Sequence, residues 1–111
     1  MNIFFRTNFG NKLGLGNLVR CDRLAQEFKK LGHKCFFIFD TKIQTKFYKF
    51  ESFFLYKKKD RIVQLKDAKL VYKLLNEYSS KIIIVDDTRF NYTWQKFISK
   101  KKNKSNFFHR G

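Results

Sequence analysis

The chain has 111 residues, 43% of them hydrophobic and 15 of them Phe, which is enough for one cored domain and too little for two. No run reaches the roughly eighteen apolar residues that cross a bilayer, and no basic stretch followed by an apolar segment and a cleavage site opens the sequence, so a cytoplasmic protein with no membrane segment is expected. Lys and Arg number 25 against 9 Asp and Glu, giving +16, a balance that attracts polyanions. The lysines, however, are spread over every segment (Lys29-Lys30, Lys57 to Lys59, Lys100 to Lys102) instead of forming one stripe, and proline is absent while Phe, Ile and Asn abound. That bias fits an A+T-rich coding sequence, and attraction to nucleic acid is not by itself a function. Cys21 and Cys35 have no companions at metal spacing and read as small core residues, so neither metal nor cofactor is expected.

Ile3, Phe4 and Phe5 make a short strand within Asn2 to Arg6, and a loop containing Gly10, Gly14 and Gly16 follows at once. From Leu18 the apolar positions Leu18, Cys21, Ala25, Phe28 and Leu31 recur at threes and fours, with Arg20, Asp22, Arg23 and Gln26 on the other face, so the spacing predicts a helix with one buried stripe. Unpaired amides at the start of such a helix, next to a glycine turn, favour an anion or a sugar hydroxyl. The loop lacks the third glycine of the dinucleotide fingerprint, and a tight turn alone also accounts for it. Asn17 is well suited to cap the helix.

Gly32 ends that helix, and Cys35 to Phe39 forms a continuous apolar strand of the kind covered on both faces of a parallel sheet. Asp40 stands at its carboxyl end, either toward a ligand or as a solvated turn residue. Ile43, Phe47 and Phe50 fit a short helix, and Phe53 to Leu55 a brief strand; their phenylalanines fit a partner surface such as a second domain. Ile62, Val63 and Leu65 lead into a helix whose stripe is Ala68, Val71, Tyr72, Leu75 and Tyr78. The β-branched run Ile82 to Val85 predicts a central parallel strand ending in Asp86-Asp87, whose carboxylates point in different directions. Asp86 either faces the crevice beside the glycine loop or bonds its own turn. Asn91 caps a helix carrying Trp94, Phe97 and Ile98 that ends in Lys100 to Lys104, and Asn106 to Gly111 closes the chain. Neither His33 nor His109 is placed as a catalyst.

Arg6-Thr7-Asn8, then Leu13-Gly14-Leu15-Gly16-Asn17-Leu18-Val19-Arg20-Cys21, Leu24-Ala25 and Leu31-Gly32-His33 before a strand together resemble the opening of the UDP-sugar hydrolases of the pseudaminic acid pathway. Those enzymes are related to spore-coat polysaccharide proteins and, more distantly, to two-domain glycosyltransferases of the GT-B type. The resemblance spans most of the chain and the first half of such an enzyme. It implies an α/β fold, a Rossmann-like, mostly parallel sheet flanked by helices that is half of a GT-B architecture, with residues 1–111 as one N-terminal-type domain lacking the last strand and the second, nucleotide-holding domain.

The function it implies is that of the sugar-side domain of a UDP-sugar hydrolase in nonulosonic acid or surface polysaccharide biosynthesis, with a nucleotide sugar as substrate and a second domain or separate chain as partner. In the resembling enzymes water attacks the anomeric carbon as UDP leaves. The resemblance places Arg6, Asn8, Gly14, Gly16, Arg20 and Asp86 at the substrate and Asn17 at the catalytic position. The family has histidine where this chain has Asn17, and an amide does not exchange protons near neutral pH. The chain alone is therefore expected to be inactive. A nucleotide-sugar-binding or glycosyltransferase-like module without hydrolysis, and a basic nucleic-acid-binding protein, remain as alternatives.

Overall fold

A computed structural model describes residues 1–8, 16–42, 50–58, 60–102 and 106–110. Five strands, β1 (Asn2–Thr7), β2 (Lys34–Phe39), β3 (Glu51–Phe54), β4 (Ile82–Asp86) and β5 (Asn106–Arg110), alternate with three helices, α1 (Gly16–Lys30), α2 (Gln64–Glu77) and α3 (Tyr92–Lys102). The sheet order is β3-β2-β1-β4-β5 and every pairing is parallel. This is the α/β fold expected from the alternating apolar runs and amphipathic stretches, and its strand order is that of the doubly wound type.

Residue alternation along the strands divides the core in two. Phe4, Phe36, Ile38, Ile83 and Val85 face α2 and α3, where they meet Ala68, Val71, Leu75, Trp94 and Ile98. Ile3, Phe5, Cys35, Phe37, Phe39 and Ile84 face α1 and meet Leu18, Cys21 and Ala25. The phenylalanines are cross-strand partners: Phe4 stacks on Phe36 with centroids 4.8 Å apart, and Phe5 on Phe37 at 5.0 Å, each pair directly opposite in register. Phe53 joins the first ladder at 6.1 Å from Phe36.

The end of α1 follows from Gly32, whose φ of +91° is left-handed. Its N–H donates to the Lys29 carbonyl and the His33 N–H to that of Phe28, both at 3.0 Å, and the Phe28 and His33 rings meet edge-on. Asn91 caps α3 as expected, its Oδ1 accepting from the Thr93 N–H at 3.0 Å. Two expectations are corrected. Helix α1 begins at Gly16, so Asn17 lies inside its first turn and is not the cap. Asp22 is buried with the apolar stripe and accepts from Gln26 at 2.6 Å, because it stands three residues before Ala25 on the flank of that stripe. The segment Asn106–Arg110 pairs with β4 as β5. The short helix expected around Ile43 and Phe47, and the loop glycines Gly10 and Gly14, lie outside the described residues.

Candidate functional site

In a parallel sheet of this order the chain leaves β1 toward one face and β4 toward the other, opening a crevice at their carboxyl ends where ligands of open α/β sheets lie. β1 and β4 are direct neighbours, with Thr7 opposite Asp86. Thr7 Oγ1 donates to the Asp86 carbonyl at 3.2 Å, and Asn17 Nδ2 donates to the same oxygen at 3.1 Å. One turn further along α1, Arg20 donates through Nε to Asp86 Oδ2 at 3.0 Å, through Nη2 to Oδ1 at 3.2 Å, and again through Nη2 to Asn17 Oδ1 at 2.6 Å. Cys21 Sγ lies 3.9 Å from Asp86 Oδ2. The start of α1 is thereby tied to the end of β4.

The carboxylate of this cluster is buried, while the Arg20 side chain is 48% exposed. Hydrogen bonding to Asp86, and then its charge, raise the Arg20 guanidinium above its ordinary pKa, so the cation is permanent. Gly16 opens α1 beside it, and a Cβ there would stand 3.6 Å from Arg20 Nη1, an ordinary contact. Among the described residues the arrangement offers fixed donors and acceptors and no histidine. It can orient an anion or a hydroxyl-rich ligand.

On the opposite face of the sheet the carboxyl edge is closed by a second polar cluster. Arg6 is fully buried. It donates to Asp67 through Nε at 3.2 Å and Nη2 at 2.8 Å, and to Asp40 through Nη2 at 2.5 Å, with Phe90 packed on its guanidinium at 4.9 Å. Burial works against the Arg6 charge, and the carboxylates of Asp67 and Asp40 more than restore it, so its pKa is raised. Asp67 also accepts from Tyr56 Oη at 2.8 Å and Trp94 Nε1 at 3.0 Å. Arg89 bridges Asp40, at 2.7 and 3.1 Å, to Asp87, at 2.9 and 2.6 Å. Burial alone would push the Asp40 carboxyl up, but Arg89 and Arg6 outweigh it and hold it below the usual range.

Of the residues singled out in the sequence, the fold brings Asn17, Arg20 and Asp86 together, with Gly16 alongside. Arg6 stands apart: it points to the α2 side of the sheet and its charge is spent on two carboxylates. Asn8 is buried just past the end of β1, and Gly14 lies outside the described residues. Asp40 is buried between two arginines and is no solvated turn residue. Asp86 does not bond its own turn; that role belongs to Asp87, which accepts from the Arg89 N–H at 3.0 Å. Asp67, Arg89, Tyr56 and Trp94 were missed. The available signal was a carboxylate on the apolar stripe of α2, one turn before Val71.

No protein-family model matches the chain, and neither does any curated protein. A crystal structure of a glycosyltransferase from Rickettsia africae ESF-5 superposes with a TM-score of 0.62 over 97% of this chain, at 16% sequence identity. The fold is glycosyltransferase-like. The chain covers 28% of that glycosyltransferase's length, so the likeness is to one part of it. Among the described residues no helix is long and apolar enough to cross a membrane, and no group of His, Cys, Asp or Glu is placed to hold a metal ion.

Proposed function

We propose that the chain is the sugar-side domain of a GT-B-type enzyme, similar to the UDP-sugar hydrolases of the pseudaminic acid pathway, and that it recognises a nucleotide sugar without supplying the proton-transfer group for its cleavage. The observation that carries this reading is the joining of Asn17, Arg20 and Asp86 at the crevice between β1 and β4. In this reading the exposed edge of Arg20 receives a phosphate oxygen or sugar hydroxyl, and Asp86 holds the guanidinium in place from below. Asn17 occupies the position of the family histidine, and its amide donates and accepts without changing charge. A second domain, in the same or a separate chain, holds the nucleotide. The glycosyltransferase-like fold supports the architecture, and the fraction of the superposed protein that the chain spans agrees with a further domain.

Isothermal titration tests the reading. UDP-sugars are expected to give binding heat that exceeds that of UDP alone, and Arg20→Ala is expected to weaken it about tenfold or more, the worth of a hydrogen bond to a charged group. Absence of heat with every UDP-sugar overturns it. So does an Arg20→Ala variant that binds as the parent does.

A further inference from the structure

We propose that the outer face of the layer formed by α2 and α3 docks on an anionic lipid bilayer. Both helices run along the same face of the sheet and pack side by side through Tyr72 and Phe97, whose rings meet edge-on with centroids 6.3 Å apart. On α2, Asp67, Ala68, Val71 and Leu75 turn inward, and Lys66, Lys69 and Lys73, spaced three and four apart, occupy the exposed side opposite them. On α3, Trp94 and Ile98 turn inward, and Tyr92, Lys96 and Lys100, four apart, occupy the exposed side. The lysines that look scattered in sequence are thus gathered by the fold into two adjacent rows.

Carboxylates are few on this face. Helix α3 carries no acidic residue; those of α2 are Asp67, buried against Arg6, and Glu77, exposed in the last turn. Asp60, also exposed, shares a hollow with Val63 and Lys66. Lys66, Lys69, Lys73, Lys96 and Lys100 outnumber these carboxylates, so an anionic partner meets net attraction.

Uncharged residues decide which anionic partner fits. At the corner where both helices begin, Val63 is 58% exposed, Leu65 43% and Tyr92 72%. Gln64 fixes that corner, donating to the Arg89 carbonyl and accepting from the Asn91 N–H, both at 3.0 Å. Aliphatic side chains gain nothing against a phosphodiester backbone, whereas a bilayer interface takes up Val, Leu and the amphipathic tyrosine ring while lysine stems reach to lipid phosphates. Neither helix contains arginine, the residue suited to forked recognition of phosphate and bases. With this face on the bilayer, the Asn17, Arg20 and Asp86 cluster, on the α1 side of the sheet, stays open to water. The inference does not depend on the proposed function.

Vesicle flotation of the full chain tests it, using phosphatidylcholine vesicles with and without phosphatidylglycerol. Binding is expected only with the anionic lipid and is expected to fall as salt rises. The combined change Lys66→Glu, Lys69→Glu and Lys73→Glu is expected to lower partitioning about 100-fold. An equal change of charge elsewhere, Arg23→Glu, Lys29→Glu and Lys30→Glu on α1, is expected to lower it far less. Val63→Ser, Leu65→Ser and Tyr92→Ser together are expected to lower it about tenfold at unchanged net charge. Equal losses from the two charge reversals, equal binding to neutral vesicles, or no effect of the serine variant overturns the proposal. So does retention of a DNA oligonucleotide by the α2 face under salt at which anionic vesicles are released. Emission from buried Trp94 reports that each variant is folded.

Discussion

Arg6 and Asp67, 61 residues apart in the chain, meet fork to fork in the interior, Nε on Oδ1 and Nη2 on Oδ2, with neither side chain exposed. Around them the buried cluster holds two guanidiniums, of Arg6 and Arg89, and three carboxylates, of Asp40, Asp67 and Asp87. The neutral donors Tyr56 Oη and Trp94 Nε1 serve the carboxylate left over in that balance. Such a network joins the ends of β1 and β2 to the start of α2 and to the turn before α3, so it fixes the carboxyl edge on which the candidate site stands.

Removing one member therefore depends on which charge is lost. Arg6→Met leaves Asp40 and Asp67 in the interior without the cation between them, and is expected to cost about 3 to 5 kcal/mol of folding stability. Asp67→Asn leaves two cations against two carboxylates and keeps an acceptor for Trp94, so its cost is expected to be smaller. Urea denaturation followed by Trp94 fluorescence compares the two. An Asp67→Asn variant less stable than Arg6→Met contradicts the charge balance described.

The same cluster sets the acid limit of stability. Asp40 is held below the ordinary carboxyl value of 3.8 by Arg89 and Arg6, so its contribution is present above that value and is lost as pH falls through its lowered folded value. At the other end, burial pushes Cys35 from 9.0 up to about 11, and burial together with Asp67 raises Tyr56 above 10.0. Both favour the protonated folded state, so stability is expected to decline as pH rises past about 9. Midpoints of urea unfolding across pH are expected to form a plateau with losses at both ends. Arg89→Gln is expected to move the acid loss to higher pH.

Most strands and helices were legible because each is written in local periodicity: the apolar run Cys35 to Phe39 fits a strand covered on both faces, and Ala68, Val71 and Leu75 fit a buried helical stripe. The convergence of Asn17, Arg20 and Asp86 was legible once the start of α1 and the end of β4 were placed at the same edge of a parallel sheet. What the sequence withheld depends on contacts across the fold. Asp67 has no evident partner in the sequence until Arg6 is known to lie beside it, and Arg6 reads as a cation for the ligand until Asp40 and Asp67 are known to flank it. The roles of Asp86 and Asp87 differ only by which side of β4 each faces, a choice fixed by the pairing of β4 with β1.

Gly32 offers a cleaner measure of one local signal. A Cβ at this position meets nothing within 4 Å, so Gly32→Ala introduces no clash and its cost is the left-handed backbone alone, about 1 kcal/mol. Gly32→Asn is expected to cost less than Gly32→Ala, since asparagine tolerates that conformation. Thermal denaturation of the pair checks the order, and equal midpoints contradict the assignment of the helix end.

Asn17 carries the proposed division between binding and chemistry. Its amide donates to the Asp86 carbonyl at 3.1 Å and accepts from Arg20 at 2.6 Å. A neutral imidazole also has one donor and one acceptor nitrogen, so Asn17→His can keep both bonds while adding a group that exchanges protons near neutrality. Residues 1–111 by themselves with this change are expected to bind UDP-sugars as the parent does and to show no turnover, since the proposed reading gives the nucleotide to a second domain. Fused to a complete nucleotide-holding domain, Asn17→His is expected to hydrolyse UDP-sugar at least 100-fold faster than the same fusion with Asn17, the usual worth of a positioned acid or base. Its rate is expected to follow a single ionisation near neutral pH that the Asn17 fusion lacks. Equal rates for the two fusions remove residue 17 from the reacting position and leave the cluster a purely binding role.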